Sequence, residues 1–415
     1  MKSVAIIGSA FAGNKGAAAM LESAVTHLSS RHPDVQITHL SMYPGTDAEL
    51  NPYDNVTVMD ASPLRLGIFI NSGALLWRLV PALRGAIRNA VPEVGAIADA
   101  DVLLDQGGIT FVDGREKYLV YNVASVLPAL NTKTPVVKCA QALGPFTSTP
   151  NRWAARTFLP KMAAIVSRGA KTQEHLDGLG LTNTVAGADL AFTLELTDRD
   201  VKEADAVAGS FFDGNDVVGV SPSQVLRAAA EARGEDYVGE VAAQIDFITE
   251  SLGRPVYLVA HSTRSRDDKL HNNDLPVCRA ILARVTSPEK VFFPDGELSS
   301  QVLRSLIGRC DLFVASRFHA MVSSLAMGVP TLVLGWSHKY REVLDMFGLA
   351  EWASAASDLD GEAFQIRISA LADQSKDIAA TIAAAFPEVH AKALEQLDVI
   401  DAVADGKPIG SVKVS

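Results

Sequence analysis

The chain is poor in cysteine, in long apolar runs and in positive charge, and each shortage removes a class of protein. Its three cysteines, Cys139, Cys278 and Cys310, are scattered over 415 residues without a CxxC spacing. That set argues against a disulfide framework or a zinc site, so no metal is expected and a reducing, cytoplasmic compartment is. No stretch reaches the roughly 18 uninterrupted apolar residues that a membrane-spanning helix needs. The nearest, Leu66–Trp77, is broken by Asn71, Ser72 and Gly73 and followed by Arg78. Basic residues number 37 against 48 acidic ones, a net charge of −11. This argues against a nucleic-acid binder, whose footprint is a basic face. An anionic substrate stays open, because the local charge of a pocket can oppose the global sign. At the N-terminus, Lys2 and the apolar Val4–Ile7 imitate a secretion signal, but Gly8 cuts the apolar core short. A first buried strand is the expectation there.

What is present is a globular balance, 48% hydrophobic and 20% charged, in a chain too long for one ordinary core. Short β-rich runs alternate with longer amphipathic stretches, the pattern of βαβ units with mainly parallel sheets. Strands are expected at 2–7, 35–40, 101–104, 135–140 and 163–167, and again at 217–220, 255–259, 291–293, 312–315 and 331–334. Apolar residues at Ala17, Met20, Leu21, Ala24, Val25 and Leu28 mark one helix face, with Asn14 placed to cap it. Further helices are expected at 237–252, 298–307 and 318–327, the last stopped by Gly328 and Pro330. Two α/β domains follow, 1–197 and 213–385, with a helix and tail over 386–415. Ligands of open α/β sheets bind outside the carboxyl ends of the strands, so a cleft between the two sheets is the expected active site.

Polar residues just beyond predicted strands are therefore the candidates. Gly13-Asn14-Lys15-Gly16 opens the first helix, where unpaired N–H groups favour anions; spacing alone favours a plain strand-to-helix turn with an Asn cap. Asp105-Gln106-Gly107-Gly108, with Asp113 beyond, offers close backbone approach or simply a tight loop. Gln141-Ala142-Leu143-Gly144-Pro145 ends a strand in a turn, and Arg168 follows the next strand, where an arginine can hold a carboxylate or phosphate bidentately. Most informative is Ser316-Arg317-Phe318-His319, which puts two basic side chains at a strand end and a helix N-terminus, a trap for a dianionic phosphate. His319 can also exchange protons near neutral pH. Trp336-Ser337-His338-Lys339 supplies another cation. His261, ending its strand, is a further acceptor-site or phosphate-site candidate, whereas Asp267-Asp268 reads as a solvated loop face.

In this order the motifs resemble the polysaccharide pyruvyltransferase family. Asn14-Lys15-Gly16-Ala17 resembles its opening motif, Gln106-Gly107-Gly108 its glycine loop and Gln141–Pro145 its Gln-x-x-Gly-Pro turn. Arg168, Ser316–Ala320, Gly328-Val329-Pro330 and Lys339 follow in the expected order. Ala17 stands where many members carry an acid, and Gln106 where they carry a first glycine. The resemblance implies two Rossmann-like domains facing a cleft, the GT-B-like fold, with a C-terminal helix that returns to the first domain. It implies phosphoenolpyruvate as donor substrate, no cofactor, and a sugar acceptor converted to a pyruvate ketal with release of phosphate. Arg168, Arg317, His319, Lys339 and Gln141 would bind the donor, and His319, Arg317 and Asp113 would carry the chemistry. Asn14, Gly16, Gln106, Gly107, Gly108 and His261 would line the acceptor side or its loops.

Two rivals remain open: a sugar-nucleotide glycosyltransferase on the same scaffold, and a catalytically silent two-lobed binding protein. After the last predicted strand of the second domain, Glu342 and Glu351 are nine residues apart rather than the eight of the glutamate pair that many retaining glycosyltransferases carry. Finally, the segment 62–91 interleaves arginines with Leu, Ile, Phe and Trp. It reads as a helical insertion packed on the first domain, or as an interfacial helix that visits a membrane carrying a lipid-linked sugar.

Overall fold

Strands buried on both faces explain why the alternation is so legible. Val102–Asp105, Val136–Gln141, Ala164–Ser167, Val218–Ser221, Leu312–Ala315 and Thr331–Leu334 are buried at every residue, as central parallel strands covered by helices must be. The computed structural model describes residues 1–264, 272–335, 338–355, 361–407 and 409. Asp267, Asp268, Trp336 and Ser337 lie outside the described residues, as does the side chain of His338.

The chain divides into two compact units. The first holds a seven-stranded sheet of β1 (Ser3–Ile7), β2 (Gln36–Ser41), β3 (Val56–Asp60), β4 (Val102–Asp105), β5 (Val136–Gln141), β6 (Ala164–Ser167) and β7 (Thr184–Ala186). Its order is β3-β2-β1-β4-β5-β6-β7, and every pairing is parallel. The second holds β8 (Val218–Ser221), β9 (Val256–Leu258), β10 (Val291–Phe292), β11 (Leu312–Ala315), β12 (Thr331–Leu334) and β13 (Ala353–Ser354), in the order β10-β9-β8-β11-β12-β13, also parallel. Each sheet reverses its winding once, at β1/β4 and at β8/β11. Crevices at such switch points are where doubly wound sheets bind ligands.

Three strands escape the sequence reading: β3, β7 and β13 lie at or next to sheet edges, and are short or half exposed. The Lys15–Arg31 helix forms as expected, with Asn14 Oδ1 accepting from the Gly16 N–H at 3.0 Å. The expected 237–252 helix changes winding at Phe247, where a π-helical turn over Phe247–Ser251 takes over.

The units exchange segments. The first comprises Met1–Ala12, Met20–Thr193 and His390–Ser415; the second Gly13–Ala19 and Leu194–Val389. The stretch between the two expected domains, 198–212, holds the Asp198–Ala208 helix, opened by a Thr197–Asp200 capping box, and it belongs to the second unit. The last helix, Ser375–Ala404, returns to the first unit from His390 onward. There Arg31 donates to Asp398 at 2.6 Å, and Gln396 donates to the Ala188 carbonyl at 3.1 Å.

The 62–91 segment is not one helix. A π turn (Arg65–Ile70), a helix (Asn71–Leu79), a 3-10 turn (Pro81–Leu83) and a second helix (Arg84–Ala90) follow one another, interrupted at Val80 and Pro81. One face, with Leu66, Ile70, Ala74, Trp77 and Ile87, is built into the first unit's core. Among the described residues, no helix is long and apolar enough to cross a membrane.

Candidate active site

In the second unit, β11 hands over to the Phe318–Ala326 helix through Arg317, whose extended backbone (φ −109°, ψ 133°) makes it the N-cap. His319 thus stands in the first turn, at the β8/β11 switch point. Arg317 is held hard: Nε donates to Asp274 Oδ2 at 2.8 Å, Nη2 donates to Asp274 Oδ1, and Nη1 donates to Asn272 Oδ1 at 2.7 Å. Asp274, wholly buried, also accepts from the Gln224 N–H at 3.0 Å and the Ser262 N–H at 2.9 Å. One carboxylate therefore ties together the loops after β8, β9 and β11. Among the described residues, three of the five guanidinium N–H groups are used in these bonds, and Nη1 and Nη2 each keep a second hydrogen.

The Gly13–Ala19 segment completes this corner. Thr263 N donates to Gly13 O at 3.1 Å, Lys15 N to His261 O at 3.3 Å, and Asn14 bridges Ser262. Gly16 comes so close to His319 that a Cβ at position 16 would lie 1.9 Å from Nδ1. Glycine there is a condition for the imidazole's placement. Buried Lys15 pairs with Glu297 at 2.7 Å. His319 meets the Phe318 ring edge-on, and Lys339 Nζ lies 5.1 Å from the centre of the same ring. Asn14 and Gly16, expected to line the acceptor side or its loops, stand beside His319, because the turn is paired to the strand-end loop after β9.

The electrostatics are those of a buried cationic cluster. His261 is driven well below its ordinary pKa, first by burial and then by the positive charges of His319, Arg317 and Arg304. Sequence reasoning missed Arg304, buried on the Ser300–Ile307 helix with Nη1 donating to Leu194 O at 3.1 Å. It also missed Asp274. The signal for Arg304 was its place on the helix's apolar face, alongside Ser300 and Ile307; Asp274 had no signal beyond its position ahead of Leu275-Pro276.

The first unit places its candidates in a second, interior network. Asp105 receives Lys138 Nζ, the Gly107 N–H at 3.0 Å and Gln141 Nε2 at 3.3 Å. Gln141 also donates to Asp105 O at 2.5 Å and accepts from Thr110 Oγ1 at 2.5 Å. Gln106 accepts from Ser9 Oγ at 2.8 Å and donates to Met20 O at 3.1 Å. Gly8, at φ +92°, approaches Gly107 so closely that a Cβ would meet its nitrogen at 2.7 Å. Met20 Cε lies 3.8 Å from the Cβ position at Gly108. Gln141 is thus a brace between strand ends rather than a donor ligand: its amide is consumed inside the sheet. Arg168, only 2% exposed, donates from Nη1 to Asp189 Oδ2 at 3.3 Å.

Asp113 also departs from expectation. Its carboxylate accepts from Thr147 N at 2.6 Å, Ser148 N at 3.1 Å, Asn151 Nδ2 at 2.7 Å and the Thr147 hydroxyl. Burial pushes its pKa up, but bonds from Thr147, Asn151 and Ser148 outweigh that and hold it below the usual carboxylate value. An acid so occupied braces the start of the Thr149–Phe158 helix; it is not poised to take a hydroxyl proton.

These strand ends fall within a recognised pattern. The family described as polysaccharide pyruvyl transferase matches residues 14–338. The chain is 22% identical over 401 residues to the amylovoran biosynthesis protein AmsJ of Erwinia amylovora, covering 92% of this chain and 95% of that one. Among solved structures it is similar to a UDP-GlcNAc 2-epimerase of Neisseria meningitidis (TM-score 0.63, 11% identity, 98% of this chain and 100% of that one). It is also similar to the UDP-GlcNAc 2-epimerase of Methanocaldococcus jannaschii (TM-score 0.56, 14% identity, 89% and 92%). At those identities the likeness shows the fold, two parallel-sheet α/β units of GT-B type.

Proposed function

Since the chain belongs to the polysaccharide pyruvyl transferase family, a transferase of polysaccharide biosynthesis, we propose that its donor is phosphoenolpyruvate and its acceptor a sugar of a polysaccharide or glycolipid precursor. The product is a cyclic pyruvate ketal, and phosphate leaves. The observation that carries this reading is the cationic corner of the second unit, where buried His261 feels the charges of His319, Arg317 and Arg304, and Lys339 Nζ lies over the Phe318 ring. Phosphoenolpyruvate carries a phosphate and a carboxylate, and fixed cations in a water-poor site offset such charge without reorganising.

The chemistry divides into two additions. A proton delivered to the donor's methylene carbon makes an oxocarbenium-like centre, which the first acceptor hydroxyl attacks as it loses its own proton. The second hydroxyl then displaces phosphate, and its proton leaves with it. His319 binds the phosphate and serves as general acid. Arg317, oriented by Asp274, offers its two remaining N–H hydrogens to the phosphate. Lys339 adds positive charge. Arg168 has an anion-binding role on its strand-end position, with Asp189 orienting the guanidinium.

Phosphate release from phosphoenolpyruvate, measured with a panel of acceptor sugars in wild type and His319→Asn, tests the reading. Acceptor-dependent release that drops at least about a hundredfold in the variant is expected. Equal release in both proteins overturns the assignment of His319. Absence of release with every acceptor, together with no thermal stabilisation by phosphoenolpyruvate, overturns the donor.

A further inference from the structure

The exposed apolar surface of this protein is concentrated in one place. Fourteen large apolar side chains are exposed among the described residues, and eight of them lie between Leu64 and Leu83. Leu64 and Ile68 are four residues apart at the π turn, and Leu75, Leu76 and Leu79 cluster on the Asn71–Leu79 helix with Leu83 four residues beyond. Leu64 and Leu79 are each 65% exposed. The opposite face of the same pieces, Leu66, Ile70, Ala74 and Trp77, is anchored in the core, so the ridge is rigidly displayed. A contiguous apolar surface of this kind marks an interaction site.

Charge identifies what the ridge meets. Between Ala61 and Pro92 there is no acidic residue but four arginines, in a chain whose net charge is −11. Arg65 and Arg88 are paired to Glu93 and Asp99. Among the described contacts, Arg84 donates to the Trp77 carbonyl and lies over its ring, and Arg78 reaches only the Asn131 amide. The ridge is therefore apolar at its crest and net positive at its flanks, on a molecule that otherwise repels anionic surfaces. That combination is how a helix lies in a lipid headgroup layer.

We infer that the 64–83 ridge docks the protein on an anionic bilayer surface, its leucines in the headgroup–acyl boundary and Arg78 and Arg84 on lipid phosphates. The inference stands on the ridge alone and is independent of the reaction proposed above. The test is flotation of the full chain with vesicles of phosphatidylglycerol and phosphatidylcholine, against phosphatidylcholine alone, at low and high salt. Wild type should float with the anionic vesicles, less so in high salt. Leu75→Ser/Leu79→Ser should lower the bound fraction about tenfold, and Arg78→Gln/Arg84→Gln should abolish the preference for anionic lipid. All four positions are exposed, and unchanged thermal unfolding verifies that the variants fold. Absence of flotation with either vesicle overturns the inference. So does a wild-type dimer that Leu75→Ser/Leu79→Ser dissociates without any lipid binding, because the ridge then serves a second copy of the chain.

Discussion

The Cα of Gly16 lies beneath the imidazole of His319, and a methyl group added there would overlap the ring, at 1.9 Å from Nδ1 and 2.0 Å from Cγ. Contact so far inside van der Waals distance forces the ring or the turn to move. Gly16→Ala is therefore expected to lower phosphate release at least about tenfold, as displacement of a catalytic group by about an ångström does. Gly45→Ala is the control, since nothing lies within 4 Å of a Cβ there. Similar activity in Gly16→Ala and wild type would remove His319 from the chemistry.

Asp274 is the next most exposed point of the proposal. It neutralises the Arg317 guanidinium with both oxygens and holds the loops after β8 and β9 through two backbone N–H groups. Removing one partner of a buried ion pair leaves the other charge uncompensated, at a cost of about 3–5 kcal/mol. Asp274→Ala should show that loss in urea unfolding. Asp274→Asn, which keeps the shape, should be milder in stability but raise KM for phosphoenolpyruvate, because Arg317 is no longer fixed.

Much of this architecture was legible because its centre is monotonous. The innermost strands are buried on both faces, so β4, β6, β8, β11 and β12 are nearly continuous apolar runs, β5 is broken by Lys138, and the polar residue at or after the end of most runs stands at the carboxyl edge of a sheet. That is how Arg168 and Arg317 were found. Edge strands such as β7 bury too little to leave a pattern. The partners of the candidates were hidden for a different reason: Asp274 meets Arg317 across 43 residues of sequence, and Glu297 meets Lys15 across 282. Composition marks a linker, not which contacts a segment makes. The Gly13–Ala19 turn opens a helix that mostly belongs to the first unit, yet it is tied to the second by His261 and Thr263.

His261 gives a pH signature with a definite sign. Its folded pKa lies well below the unfolded value of about 6.5, through burial and the neighbouring positive charges. Its contribution is therefore fully present above pH 6.5, where the ring is neutral in both states. It is lost as the pH falls toward the folded pKa, because the unfolded chain then binds a proton that the folded one refuses. The melting temperature of wild type should fall faster than that of His261→Gln between about pH 6.5 and pH 5. Parallel profiles for the two proteins would mean that His261 is not held neutral by the cluster.

Asp113 separates bracing from catalysis. Bonds from Thr147, Ser148 and Asn151 occupy its carboxylate at the start of the Thr149–Phe158 helix, where a negative charge also suits the helix dipole. Losing a carboxylate that accepts several hydrogen bonds at once costs about 1–3 kcal/mol, so Asp113→Ala should lower the urea midpoint accordingly. Since its folded pKa is depressed, this stabilisation is present above the unfolded carboxylate pKa and is lost as the pH falls into the acid range. If bracing is its whole role, kcat for phosphate release at saturating donor and acceptor stays within about threefold of wild type, far short of the hundredfold or more a lost general base exacts. The decisive comparison is Asp113→Asn, which preserves acceptance through one oxygen but cannot take a proton: retained turnover assigns Asp113 to the scaffold, whereas collapsed turnover in a well-folded variant restores it as the base.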